Sequence, residues 1–153
     1  MRATMKRRAL VFLKNEEDGS SYYRLYQYLR GKPCRRVNMT PTWIYRLFYG
    51  RRYGKAAKLA LKLFMGGVTF GTTLGIMVLD ALVWKSEVVI LNRRFFPRAC
   101  PPLLAVILRR YLRGKKFYWD FDDNIALDGE LSRAEKAVLE EAARSITVRT
   151  QAA

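Results

Sequence analysis

Histidine is missing from all 153 residues. With it go the commonest general base near neutral pH and the commonest zinc ligand. Cysteine is scarce: Cys34 and Cys100 stand far apart, outside any C-x-x-C spacing, and read as buried thiols of a reducing cytoplasm. Acidic residues are few, 13 against 29 basic ones, leaving a net charge of +16. That imbalance implies an anionic partner surface (phosphate groups, nucleic acid or anionic lipid). The plainer explanation is a skewed count from a basic proteome or a missing acidic half. There is no internal repeat and no low-complexity segment. No secretory signal opens the chain, because the apolar stretch at 9–13 is too short and Lys14 ends it. The longest charge-free run, 63–79, falls short of the roughly 20 apolar residues a membrane span needs. It also carries Thr69, Thr72, Thr73 and four glycines.

What is present is enough for one domain: half the residues are hydrophobic. Residues 9–13 read as a buried parallel strand. A turn at 15–20 follows, and Ser20 or Ser21 is placed to cap a helix over 22–29 that ends before Gly31 and Pro33. A weaker strand at 34–39 completes a β-turn-α-β unit. The turn lies near a helix N-terminus, where backbone N–H groups suit an anion. In the second half, a strand at 87–91 leads to the loop 92–97. Pro101 and Pro102 open a helix running to Arg113, with Gly114 in the position after its end. A strand at 115–119 precedes an acidic loop. Ser132 to Glu135 reads as a capping box for a helix to about Arg144, and 145–148 as a fifth strand. Strands alternating with helices at this spacing predict an α/β domain: a Rossmann-like parallel sheet with helices on both faces, over residues 1–153. The fifth strand is followed by only a few residues, so the expectation is part of a larger protein or a gene cut short.

Residues 41–85 form a helical insertion of a different character. Trp43, Ile44, Leu47, Phe48 and Tyr49 sit at helical spacing. Lys55, Lys58 and Lys62 share a face of a following basic amphipathic helix that also carries Phe64, a composition suited to a membrane surface. The expectation beyond it is a glycine-containing loop and then a buried helix over 73–84. A solvated helical face is the competing reading. Nucleic-acid binding is a third: Tyr45-Arg46 and Arg51-Arg52-Tyr53 interleave as in stacking grooves, but no nucleic-acid motif accompanies them.

The strongest local signal is Tyr118-Trp119-Asp120-Phe121-Asp122-Asp123. A strand runs straight into three carboxylates, and in open α/β sheets the carboxyl ends of strands face the ligand crevice. In extended chain Asp120 and Asp122 fall on one side, Phe121 and Asp123 on the other. One carboxylate suits a proton acceptor for a hydroxyl. Clustered carboxylates also suit magnesium or calcium, but a single loop supplies the oxygens and the reading is of no metal. Solvated loop charge is the structural alternative.

Four segments, in order, resemble one family. Gly19-Ser20-Ser21-Tyr22-Tyr23-Arg24 is similar to the G-x-S-x-Y-R turn of GT-B glycosyltransferases. Glu87-Val88-Val89-Ile90-Leu91-Asn92-Arg93 resembles their D-V-V-I-L-Q-R strand, with Glu87 and Asn92 as departures. The acidic segment resembles their Y-D-F-D-D strand end, with Trp119 looking inserted. Residues 145–150 resemble A-I-T-V-S-T. Together these cover most of residues 6–150, leaving out 40–86. The resemblance implies the N-terminal, acceptor-side half of a two-domain enzyme. Such an enzyme moves a sugar from a nucleotide sugar, its co-substrate, to a hydroxyl acceptor without further cofactors. The donor-binding half would come from a C-terminal domain or a second chain, so this chain alone is expected to be inactive. The implied roles are substrate binding by Gly19, Ser21, Tyr23, Arg24, Asn92 and Arg93, and catalysis by Asp120, Asp122 and Asp123. The implied setting is the cytoplasmic face of the cell membrane, touched through Trp43, Lys55, Lys58, Lys62 and Phe64, with a sugar or lipid-linked acceptor. From a different class, the alternative is a non-catalytic basic module for nucleic acid or anionic membrane.

Overall fold

The computed structural model describes residues 9–96, 101–120 and 132–151, without the side chains of Ser20, Arg24 and residues 144–151. Four strands pair in parallel in the order β2-β1-β3-β4: β1 is Ala9–Leu13, β2 Arg35–Asn38, β3 Val88–Asn92 and β4 Lys116–Asp120. The fold is therefore α/β with a Rossmann-like parallel sheet. The register puts Leu10 beside Val89 and Val89 beside Phe117, and it ends with Asn92 opposite Asp120. Because β1 sits between β2 and β3, the chain leaves it toward one side and returns on the other. That reversal makes a switch point at the carboxyl ends of β1 and β3, the ordinary place for a ligand crevice in such sheets.

Alternation sorts the strand side chains between two faces. Leu10, Phe12, Val89, Leu91 and Phe117 join one buried cluster. Helix α5 (Pro102–Leu112) adds Leu104, Leu108 and Leu112 to it, and helix α6 (Arg133–Gln151) adds Val138 and Leu139. On the other face Val11 and Leu13 are fully buried, but Tyr118 of the edge strand is half exposed. Gly114, at φ 78°, ends α5 in the left-handed conformation that glycine adopts without steric cost.

The first helical stretch consists of a short α1 (Gly19–Ser21), a π-helical turn (Tyr22–Tyr26) and a short α2 (Gln27–Leu29). Its cap is Asp18, not Ser20 or Ser21: the Asp18 carboxylate accepts the Ser21 N–H at 3.2 Å. A carboxylate of the chain itself thus occupies the helix start that the sequence offers to an anion. Cys34 is half-buried rather than enclosed, and Cys100 lies outside the described residues.

Two elements differ from the sequence reading. Helix α3 (Thr42–Tyr49) is as expected, but the next helix, α4 (Lys55–Leu79), runs unbroken through Gly66, Gly67, Gly71 and Gly75 into a π-helical end at Asp80–Trp84. Four glycines cost a water-exposed helix about 1 kcal/mol each, which is why a loop is expected there. Nor is the helix buried: only Thr73 and Met77 of α4 are enclosed, while Val78, Leu79, Leu82 and Val83 are exposed. The expected fifth strand at 145–148 is helical, a continuation of α6. No glycine or proline follows Ser132 to stop that helix. The β-branched residues there cost it under about 1 kcal/mol apiece, less than a break with uncapped ends.

The capping box is half realised. The Glu135 N–H donates to Ser132 Oγ at 3.2 Å, but the Glu135 side chain turns inward and accepts from the Phe95 and Phe96 N–H groups at 2.7 and 3.3 Å. It satisfies two amides of the loop after β3 instead of one at its own helix start.

Candidate functional site at the carboxyl ends of the strands

Residues from three of the resembling segments meet where the strands end. Ser21 Oγ donates to Asn92 Oδ1 at 2.9 Å, and Asn92 Nδ2 donates to Asp120 Oδ2 at 3.0 Å. Ser21 and Asn92 are buried, so a broken link would leave polar atoms without water. Asn92 and Asp120 share a face because parallel register makes them neighbours. The bond from Ser21 pulls the first helical stretch onto that face.

Arg93 follows with φ 69°, a left-handed backbone that is uncommon outside glycine. Two hydrogen bonds hold it there. The Arg93 N–H donates to the Asp120 carbonyl at 2.9 Å, and Trp119 Nε1 donates to the Arg93 carbonyl at 2.7 Å. Trp119 therefore fixes the turn that aims Arg93, a role that linear reading misses. Strain of this kind collects at functional sites.

Around Asp18 lies a second polar group. Lys14 Nζ sits 3.2 Å from Asp18 Oδ1, and the Tyr45 hydroxyl donates to the same oxygen at 3.4 Å. Burial would raise the Asp18 carboxyl, but the Lys14 charge, the hydrogen bonds and the Arg93 charge hold it below its usual range. Burial, with Asp18 beside it, pushes the Tyr45 phenol up to about 12, so it remains a donor at neutral pH. Asn15 anchors the turn by donating to the Thr40 carbonyl at 2.8 Å. Arg46 of α3 is ion-paired to Glu17, with Nε 2.8 Å from a carboxylate oxygen.

A cavity of about 370 Å³ opens beside Asn92 and Arg93. Its basic wall is Lys14, Lys58, Lys62, Arg93 and Arg94; its apolar wall includes Phe48, Met65, Phe95 and Phe96. The Thr40 and Thr69 hydroxyls, 2.9 Å apart, clip α4 over the strand ends and close one side. A larger cavity of about 440 Å³ lies between α4 and α5, lined by Leu74, Met77, Ile107, Tyr111 and Lys115. It adjoins residues that precede β3 and β4, at the amino ends of the strands. The cavity at the switch point is therefore the candidate site.

Of the expected site residues, Ser21, Asn92, Arg93 and Asp120 come together. Gly19 and Tyr23 do not: both are exposed, and the Tyr23 ring, 67% accessible, packs edge-on against Tyr22. The Arg24 side chain, Asp122 and Asp123 lie outside the described residues. Among the described residues no group of histidine, cysteine and carboxylates is assembled for a metal ion. Of the expected membrane residues, Trp43 and Phe64 are exposed and face each other with ring centroids 6.3 Å apart. Lys55 is exposed before them, whereas Lys58 and Lys62 turn to the rim of the cavity. The basic cavity itself has no linear signature, since its lysines and arginines come from three separated segments. No family model matches the chain, and neither any curated protein nor any solved structure matches it.

Proposed function

We propose that the chain is the acceptor-side domain of a GT-B glycosyltransferase working at the cytoplasmic membrane face. A donor domain, in the same protein or a second chain, would hold the nucleotide sugar. The observation that carries this reading is the run Ser21–Asn92–Asp120, which joins three family-like segments by hydrogen bonds at the crevice end of the sheet. In transfer, an acceptor hydroxyl oxygen bonds to the anomeric carbon, the bond to the donor phosphate breaks, and a carboxylate takes the hydroxyl proton. Asp122 and Asp123 continue directly from β4 and are the assigned proton acceptor and its neighbour, with Asp120 positioning Asn92. Support for the membrane setting comes from α4. Residues 55–84 are long and apolar enough to cross a bilayer by composition, an 18-residue stretch within them reaching a mean hydropathy of 1.5. Yet buried Asp80 ties the end of this helix to the domain, so we assign it to the interface.

The test is sugar transfer from a panel of nucleotide sugars, using the chain together with a donor domain and a membrane fraction. Transfer that Asp120→Asn lowers at least tenfold is expected. Absence of transfer with every nucleotide sugar and donor domain tried would sink the reading.

A second reading is favoured by the net charge of +16: a non-catalytic module for nucleic acid or anionic membrane. Salt-sensitive nucleic-acid binding, untouched by nucleotide sugars, would support it.

A further inference from the structure

The cavity at the switch point has a charge character that the glycosyltransferase reading does not require. Five cations from three segments line it: Lys14 after β1, Lys58 and Lys62 on α4, and Arg93 and Arg94 after β3. Among the described residues no acidic side chain lines it. Three of these charges are partly answered from behind. Lys14 pairs with Asp18, Arg93 lowers the Asp18 carboxyl, and Arg94 acts on Glu135. For Lys58 and Lys62 no acidic partner is found among the described residues. Among the described residues the lining therefore carries a positive excess. Phe48, Met65, Phe95 and Phe96 also line it, an apolar surface that a bare inorganic anion would not use. The exposed apolar residues of α3 and α4 (Trp43, Leu47, Leu59, Leu63 and Phe64) belong to the same two helices that wall the opening.

We infer that this cavity binds the phosphate or diphosphate headgroup of a lipid. Lys58, Lys62 and Arg94 meet the headgroup oxygens, and the first part of the lipid chain lies on Phe48 and Met65. The remainder of the chain passes along the Trp43–Phe64 side into the bilayer. Charge and shape both favour this ligand. A phosphate oxygen set answers ammonium and guanidinium donors. The apolar wall contributes roughly 25 cal/mol per Å² of hydrocarbon it covers. Naming the lipid as the sugar acceptor rests on the proposed function; the binding itself does not.

Calorimetric titration of the full chain in nonionic detergent tests the assignment. Farnesyl diphosphate serves as the lipid diphosphate and inorganic pyrophosphate as the headgroup alone. Farnesyl diphosphate is expected to bind more tightly than pyrophosphate, and pyrophosphate to compete with it. The Lys58→Ala/Lys62→Ala double variant, altered at two exposed positions, should weaken binding at least tenfold, about 1.4 kcal/mol. Lys62→Glu should weaken it as well. Lys116→Ala, exposed at the far end of the sheet, should change nothing. Absence of binding, or binding indifferent to both lysine variants, overturns the site. Equal affinity for pyrophosphate and farnesyl diphosphate overturns the lipid and leaves a free-phosphate pocket. Lost lipid binding with sugar transfer intact refutes the pocket alone, and intact binding without any transfer refutes the glycosyltransferase reading alone.

Discussion

Burial pushes the Glu135 carboxyl up to about 7, against the pull of the Phe95 and Phe96 amides and the Arg94 charge. Its second oxygen is enclosed without a hydrogen-bond partner, which explains why ionisation is costly there. The consequence for stability has a definite sign. Between about pH 4.5 and about 7 the folded chain holds a proton that the unfolded chain has released, so stability falls as pH rises through that window. The fall is at most about 3 kcal/mol. Urea unfolding at about pH 5 and about pH 8 should reveal it, and Glu135→Gln should flatten the difference. Asp80 is the opposite case. It too is fully buried, and burial alone would raise its carboxyl. Donation from Tyr111 at 2.7 Å, Ser86 at 2.7 Å and Lys115 at 3.2 Å instead holds it below its usual range. Its contribution is present above about pH 4 and is lost as pH falls below that. Asp80→Ala should cost about 3 kcal/mol, since it takes the carboxylate from a half-buried lysine and from the Tyr111 and Ser86 hydroxyls, and chemical denaturation would measure it. At the acidic loop, Asp122→Asn and Asp123→Asn should abolish transfer while leaving the thermal midpoint in place. Full activity in both variants would remove the loop from the chemistry.

Helix α4 shows how an element can defy its own sequence. Glycine weakens a helix mainly where water competes for the backbone and the unfolded chain is free. Here the helix is held at its close and in its second half: Asp80 at the end, Thr73 and Met77 enclosed against the domain, and Thr69 bonded to Thr40 over the strand tips. Its exposed apolar residues suit a surface poor in water. Two measurements belong at this scale. Replacing Lys55, Lys58 and Lys62 by Glu should release the chain from anionic vesicles in co-sedimentation, and persistent binding would remove the interfacial role. Trp43→Ala with Phe64→Ala should lower vesicle partitioning at least tenfold with little change in charge dependence. This follows because the two side chains together carry a few kcal/mol of apolar transfer energy.

For the molecule as a whole, a net charge of +16 guarantees attraction to any polyanion at low salt. Vesicle binding that survives a nucleic-acid competitor at about 0.15 M salt is the outcome expected of a membrane-surface domain. Capture by the nucleic acid instead would favour the basic-module reading. The α/β class and the four parallel strands were legible because buried parallel strands announce themselves as short apolar runs such as Ala9–Leu13 and Val88–Asn92. Gly31 and Gly114 marked helix ends correctly because a left-handed backbone favours glycine. The position of Asn92, Arg93 and Asp120 at the carboxyl ends of β3 and β4 was legible because both strands read as short apolar runs that stop there. Local pattern could not decide what depends on partners distant in the chain. Asp18 displaced the serines as the cap, Glu135 left its capping box to serve Phe95 and Phe96, and Trp119 acquired the carbonyl of Arg93. The basic cavity exists only because the sheet brings residues 14, 58, 62, 93 and 94 to one place. Sequence alone determined the elements whose hydrogen bonds and apolar periodicity are local. Tertiary structure decided the continuous α4 and the site, because their energies come from contacts between segments dozens of residues apart.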